Sequence, residues 1–154
     1  LTCANEEGEQ ERIVMLHCAV MGSHERFLSV FIEHTAGRFP LWCAPEQVRV
    51  LSVNQEEATV AFTEDLQARG KALGIRVTVD NSNESVGKKI RSAEMWKVPY
   101  VIVAGEKEVS EGRVSPRVRA DLAVVDRADQ SYEIDQFLNS LQNEIRGRVS
   151  KSSL

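Results

Sequence analysis

Arg26 follows Gly22-Ser23 at the head of a stretch whose apolar residues recur at helical spacing. The free N–H groups of a helix N-terminus beside a guanidinium make a competent phosphate site. Spacing alone favours the simpler arrangement, a surface ion pair of Glu25 and Arg26. His17 and Cys18 raise the question of a metal. Neighbours on a strand point to opposite faces, a closed zinc site needs four ligands, and no Cys-x-x-Cys or His-x-x-x-His spacing occurs. From spacing alone His17 reads as a packed histidine, and His24 and His34 as exposed helix residues. A third chemistry lies between residues 84 and 119. Lys88, Lys89, Arg91, Lys97, Arg113, Arg117 and Arg119 are interleaved there with Trp96 and Tyr100. Asn83, Arg91 and Glu108 could read base edges, because unpaired bases expose their Watson–Crick donors and acceptors. An acidic residue among arginines suits a base amino group better than a phosphate. Composition alone makes a solvated face the commoner meaning of such a zone.

These residues need elements to position them. Residues 4–11 form a polar, acidic turn around Gly8, and Arg12 to Cys18 reads as a buried strand of mixed apolar residues. Ser23 can cap a helix carrying Phe27, Leu28, Phe31 and Ile32, with Gly37 at its C-cap. Phe39 to Pro45 holds two prolines in seven residues, a stiff connector, and the domain boundary is placed there. Val48–Val53 is a strand. Asn54, with Glu57, caps a helix that buries Ala58, Phe62, Leu66 and Leu73 and stops at Gly74. Residues 75–79 alternate as a second strand, 81–84 turn, and Val86, Ile90 and Ala93 share a face of a short helix. Residues 99–104 make a third strand closed by Gly105. Arg113 to Arg119, broken by Pro116, is an edge strand or ribbon. A final amphipathic helix carries Ile134, Phe137, Leu138, Leu141 and Ile145, capped by Ser131 or Asp129, and the tail from Val149 is frayed. Strand–helix alternation over 46–150 implies a parallel sheet core with helices packed on it.

Composition bounds the rest. The 154 residues suit one ordinary domain, or one small domain plus a fragment. With 42% hydrophobic and 27% charged residues the chain is not of the disordered class. No apolar run reaches the roughly 18 residues of a membrane span. The chain opens on Leu1 rather than Met, with no secretory signal, and is expected to be a piece of something longer. Cys3, Cys18 and Cys43 are an odd, scattered set that suits a reducing compartment. A net charge of −4 argues against non-specific coating of nucleic acid or anionic membrane. Yet residues 84–119 hold eight Lys/Arg against five Asp/Glu, a local excess that allows a confined polyanion site.

Several runs of residues carry a resemblance. Val14-Met-Leu-His17, Gly22-Ser-His-Glu-Arg-Phe27, Ile32-Glu-His34, Ala36-Gly37, Phe39-Pro-Leu-Trp-Cys-Ala-Pro45 and Gln47-Val48 resemble the threonyl-tRNA synthetase family. The likeness continues through Gly74-Ile-Arg-Val77, Asn83-Glu84, Gly87, Lys89-Ile-Arg91, Val98-Pro-Tyr100, Gly105-Glu-Lys-Glu-Val109 and Val114-Ser-Pro-Arg117. It covers nearly the whole chain. By that resemblance residues 1–38 look like the C-terminal end of a class II catalytic domain, the motif 3 region. Residues 39–154 look like the anticodon-binding domain, an α/β fold with a mixed, mainly parallel sheet flanked by helices.

The resemblance also implies roles. Arg26 aligns with the motif 3 arginine that contacts ATP, and Ser23 with a neighbouring ATP contact. His17 aligns with one of three zinc ligands, in a site that reads the threonine hydroxyl. Asn83, Arg91, Glu108 and Arg117 align with residues that contact the anticodon. Cys18 stands where the family usually has arginine, Ile13 where it has proline, and residues 118–131 lack its glycine- and lysine-bearing turn. The full enzyme would use ATP with magnesium and one zinc, bind tRNA(Thr), and form a homodimer through its catalytic domain. It would work in the cytoplasm or an organelle, with no part for membrane or DNA. Motifs 1 and 2 and the other zinc ligands would lie upstream, so this chain alone is expected not to make threonyl-adenylate. Two other classes remain at this stage: a stand-alone anticodon-domain paralogue, and a protein-interaction module that keeps the fold without RNA binding.

Overall fold

A computed structural model of the chain describes residues 1–123 and 130–154. At its centre is a four-stranded sheet in the order β4-β3-β5-β7. It comprises β3 (Val48–Ser52), β4 (Val77–Asp80), β5 (Tyr100–Ala104) and β7 (Arg117–Val118). The first three strands are parallel, with Val48 opposite both Val77 and Tyr100, and β7 runs antiparallel on β5. This is the mixed, mainly parallel sheet that the resemblance implied; the strand–helix alternation gives its parallel part.

Two helices carry the crossovers. α2 (Glu57–Ala72) joins β3 to β4, and α3 (Val86–Met95) joins β4 back across β3 to β5. The two connections run in opposite directions along the sheet. Packing their helices on opposite faces therefore gives both the same hand, as the twist of parallel strands requires. On one face, Val48, Val50, Tyr100 and Ile102 meet Leu66 of α2 and Phe137, Leu138 and Leu141 of α5 (Ile134–Gly147). On the other face, Leu51 and Val101 meet Ala93 and Ile90 of α3.

The buried face of α2 differs from the one expected. Thr59, Thr63, Leu66 and Gly70 are buried, Phe62 and Leu73 are half-buried, and Ala58 is exposed. The threonine is tolerated inside because its hydroxyl is satisfied: Thr63 Oγ1 donates to Val60 O at 2.8 Å and lies 3.2 Å from Asn81 Oδ1. Gly70 lets the helix lie close on β4, since a Cβ there would sit 2.5 Å from Val77 Cγ2. The N-cap is Glu56 rather than Asn54, whose Oδ1 instead accepts from Glu56 N at 3.3 Å.

The connector 39–45 is docked, not loose. It holds a short 3-10 turn, Leu41–Cys43, with Leu41 and Ala44 buried. Buried Gln47 donates to Leu41 O and accepts from Arg76 N, both at 2.8 Å, and so ties the connector to the entrances of β3 and β4. Before it, α1 (His24–Thr35) starts at the Ser23 cap and ends through left-handed Ala36 and Gly37. Its Phe31 stacks on Phe39 at 5.2 Å between ring centroids.

Three expectations are corrected. No strand forms over 12–18: β1 (Thr2–Ala4) and β2 (Gln10–Arg12) pair as a hairpin around Gly8, while Val14 and Leu16 stay exposed. A strand needs a neighbour for its ladder, and the described residues place none beside 13–19. The segment 113–119 is broken at Pro116 as expected: β6 (Arg113–Val114) makes a ribbon with β8 (Tyr132–Glu133), and β7 is the edge strand of the main sheet. The tail is not frayed, for Ser152 and Leu154 are buried. Glu144, itself buried on α5, accepts from Tyr100 Oη at 2.8 Å and from Ser153 N at 2.5 Å, while Ser152 N donates to Leu122 O at 2.9 Å. The cap of α5 is Glu133; of the two residues proposed for it, Asp129 lies outside the described residues, as does the middle of the 118–131 segment.

Candidate nucleic-acid interface

The carboxyl ends of parallel strands are where an α/β sheet exposes loops and helix starts. After β4, Asp80 Oδ1 accepts from Ser82 N at 3.0 Å and Ser82 Oγ at 2.6 Å, a turn that presents Asn83 to solvent. Burial pushes the Asp80 carboxyl up, but the Ser82 hydrogen bonds and the nearby Lys89 and Arg49 charges outweigh it and hold it below the ordinary value. α3 follows, with Arg91 on its exposed side and Ala93 on its buried side. At its end Met95 and Trp96 are 73% and 75% exposed, an apolar platform beside the arginine.

After β5 comes α4 (Glu106–Glu111), a helix the sequence reading missed. Glu108 sits at its N3 position, and one carboxylate oxygen accepts from Gly105 N at 3.1 Å. The signal was there: a glycine followed three residues later by glutamate is half of a capping box. Arg117 on β7 lies directly opposite Val101. Paired residues share a sheet face, so Arg117 is on the α3 side. Glu108 and Arg117 both line one cavity of about 730 Å³, together with Ile90 and Glu94 of α3. Asn83 and Arg91 do not line it; they stand on the turn before α3 and on its outer side. Trp96 is similarly outside it.

The basic zone is less available than its composition suggested. Lys89 is buried, donating to Ser52 O at 2.9 Å, Ser52 Oγ at 3.2 Å and Asp80 O at 3.2 Å. Lys97, in a left-handed backbone conformation, donates to Ala36 O. Arg113 donates to Ser131 O at 2.7 Å. Arg119 grips Asp121 at 2.6 Å and donates to Lys97 O and Phe39 O at 2.5 and 2.8 Å. Lys88 pairs with Glu84 at 2.6 Å on the surface. Among the described residues no ion pair or hydrogen bond engages the guanidinium of Arg91 or Arg117. Tyr100 is fully buried and cannot stack on a base.

In the N-terminal part, Ser23 Oγ caps α1 by accepting from Arg26 N at 3.2 Å. The Glu25 carboxyl is held below its usual value, first by a backbone hydrogen bond and then by Ser23. Arg26 and His17 are exposed. A helix start with an exposed guanidinium fits a phosphate. Zinc is a different matter: among the described residues no three His, Cys, Asp or Glu side chains cluster, and a single exposed histidine does not hold the ion.

With this geometry in place, the chain can be set beside known proteins. The family described as "Anticodon binding domain" matches residues 47–144. A threonine–tRNA ligase of Clostridium tetani is 41% identical over 157 aligned residues, covering 99% of this chain and 23% of the relative. One from Chlamydia felis is 41% identical over 144 residues, covering 94% of this chain and 22% of the relative. The chain thus spans about a fifth of the length of these relatives. Among solved structures, the RNA binding domain of threonyl-tRNA synthetase from Cryptosporidium parvum Iowa II superposes with a TM-score of 0.69 at 31% identity, over 81% of this chain and 30% of that one. A prolyl-tRNA synthetase of the same organism, complexed with L-proline and AMP, shares the fold at a TM-score of 0.60 and 19% identity, over 96% of this chain and 33% of that one.

Proposed function

The chain belongs to the anticodon binding domain family, and from that premise we propose that it recognises the anticodon of tRNA(Thr) as the C-terminal part of a threonine–tRNA ligase. The observation that carries this is the convergence of Glu108 and Arg117 on one cavity at the α3 side of the sheet. A carboxylate accepts from a base amino group and a guanidinium donates to base carbonyls or ring nitrogens, so the pair can tell nucleobases apart. Asn83 and Arg91 contact the neighbouring nucleotides from the outer side of the β4–α3 unit. Arg91, Lys107 and Arg117 also supply the phosphate attraction that the buried or engaged cations cannot.

Residues 1–38 belong, in this reading, to the catalytic domain, and 39–154 to the anticodon-binding domain. Arg26 binds a phosphate of ATP at the α1 N-terminus, where its charge offsets that of the transferring phosphoryl group, and Ser23 fixes that terminus. ATP with magnesium supplies the activated leaving group when bound. The parent enzyme joins threonine to tRNA(Thr), dimerises through its catalytic domain and works in the cytoplasm. His17 contributes at most one ligand of a zinc site. The chain by itself makes no threonyl-adenylate, which threonine-dependent ATP–pyrophosphate exchange would measure.

The test is equilibrium binding of tRNA(Thr) and of single-base anticodon variants. Glu108→Gln keeps an oxygen for the Gly105 N–H but loses the charge, so the fold is preserved while base choice relaxes by about 1–3 kcal/mol. Glu108→Ala loses the cap as well. Retained preference for threonine anticodons in both variants would refute the role of Glu108.

A further inference from the structure

The cavity that holds Glu108 and Arg117 has a further charged part. Its lining includes Arg38, Lys97 and Arg119, so four cations meet two carboxylates there, Glu94 and Glu108, with Ser115 adding only a neutral hydroxyl. Arg119, two residues after Arg117, reaches back to the segment that leaves α1. It donates to Phe39 O at 2.8 Å and to Lys97 O at 2.5 Å. Lys97 in turn donates to Ala36 O at the C-terminus of α1, where its charge suits the helix dipole, and a Cβ on Gly37 would stand 3.2 Å from its Nζ. Arg38 sits between those two tethered carbonyls, and its own N–H donates to Thr35 O at 2.9 Å. The backbone around Arg38 is therefore fixed on both sides. Its side chain is exposed and, among the described residues, has no ion pair or hydrogen bond. Asp121 lies close enough to feel the Arg38 charge, yet both of its carboxylate oxygens are held by Arg119, at 2.6 and 3.0 Å.

Even with Asp121 counted, positive charge is in excess around this cavity. Like charges brought together repel, and no contact among the described residues offsets that cost at Arg38. An anion would. A guanidinium with all its donors unspent is a planar fork that matches two phosphate oxygens. Lys97 and Arg119 have donors committed to carbonyls, so they add to the field and hold the segment, while Arg38 is left to make the contact. We infer that Arg38 is a phosphate-binding residue of the RNA interface, taking a backbone phosphodiester next to the nucleotide that Glu108 and Arg117 address. This rests on the anticodon reading. It adds a contact supplied from the exit of α1, outside the basic zone at 84–119, and one that positions the RNA without reading its sequence.

Arg38→Ala in the full chain tests this by salt titration of tRNA(Thr) binding, with thermal melts run alongside. Removing one phosphate contact flattens the slope of log K against log salt by about 0.7–0.9. The deficit against the parent should therefore shrink roughly threefold between about 50 and about 200 mM salt. Transcripts substituted at single anticodon positions should lose the same factor, since a phosphate carries no sequence. The melting temperature should not fall. Arg38→Lys should keep the parent's slope, because an ammonium also meets a phosphate. An unchanged slope in Arg38→Ala would overturn the inference by removing the phosphate. A loss confined to one anticodon position would overturn it by making Arg38 a base reader, and a lower melting temperature by giving it a partner inside the protein. If the unsubstituted chain shows no preference for threonine anticodons, the underlying reading fails and this one with it. If that preference is present and Arg38→Ala leaves the slope unmoved, this inference alone fails.

Discussion

Replacing Lys89 by methionine separates a structural cation from a phosphate contact. Lys89→Met keeps the aliphatic length that packs at the α3–β3 contact and deletes three donors, those to Ser52 O, Ser52 Oγ and Asp80 O. A hydrogen bond from a charged group contributes about 1.5–3 kcal/mol. The three losses do not add. Ser52 Oγ already lies 3.3 Å from Asp80 O as a donor and can take that acceptor over, and removing a buried ammonium relieves its desolvation. What remains is close to one orphaned acceptor, a loss of about 2–3 kcal/mol. For a chain of this size that lowers Tm by roughly 5–10 °C, read by circular dichroism. The salt dependence of RNA binding supplies the second readout. Each phosphate contact removed flattens the slope of log K against log salt by about one. Arg91→Ala and Arg117→Ala should each do so, and Lys89→Met should not. A flattened slope with an unmoved Tm would show that Lys89 reaches the RNA, and the argument from its burial would fail.

Two further outcomes follow from packing and from charge. Gly70→Ala gains about 1 kcal/mol of helix propensity, but its methyl would stand 2.5 Å from Val77 Cγ2, and overpacking costs about 1–3 kcal/mol. Thermal melts should show a net loss that Val77→Ala reverses, and a Gly70→Ala chain more stable than the parent would contradict the close approach. Asp121 is pushed up by partial burial, but the Arg119 hydrogen bond and charge outweigh this and hold its carboxyl below the ordinary range. A depressed native pKa contributes stability that is present above the unfolded value, about 3.9, and is lost as pH falls below it. The Tm gap between parent and Asp121→Asn should therefore be constant above about pH 5 and close below about pH 4. Its size is modest, about 1 kcal/mol at most, because the side chain is 35% exposed. A gap of equal size at pH 3 and pH 7 would be the contrary result.

What could be read from the sequence was what short-range physics decides. Apolar alternation located β3, β4 and β5 within one or two residues, and Ser23 and Gly37 bracketed α1, because strand pleat and helix caps are local. The face of α2 was misread because Thr59 and Thr63 look polar, though both are buried and the Thr63 hydroxyl finds bonds within the helix and across to Asn81. The strand expected at 12–18 failed for the opposite reason. Its apolar residues are real, but a strand is a property of two segments, and the described residues offer no second one. The tail was misjudged because its anchor, Glu144, is a charged residue on a helix face where only burial reveals a role.

The same contrast governs the interface. Counting charges between residues 84 and 119 suggests a cationic patch held together by attraction to phosphate. The structure turns four of those eight cations inward or ties them to carbonyls. Lys89 fills the α3–β3 seam, Arg113 holds the β6–β8 ribbon to Ser131, and Arg119 joins Asp121, Lys97 and Phe39 into a brace behind Arg117. A cation whose donors are spent on carbonyls still adds to the long-range field, but it does not displace a counterion from a phosphate. Half of the basic residues of the zone therefore build a rigid frame, and in the proposed reading Arg91, Lys107 and Arg117 are its cations free to meet RNA. Contacts to phosphate position a nucleic acid without reading it, and base contacts specify it. On the proposed reading, selectivity would come from base edges, so a carboxylate and a guanidinium lining one cavity would matter more than the net charge of the zone.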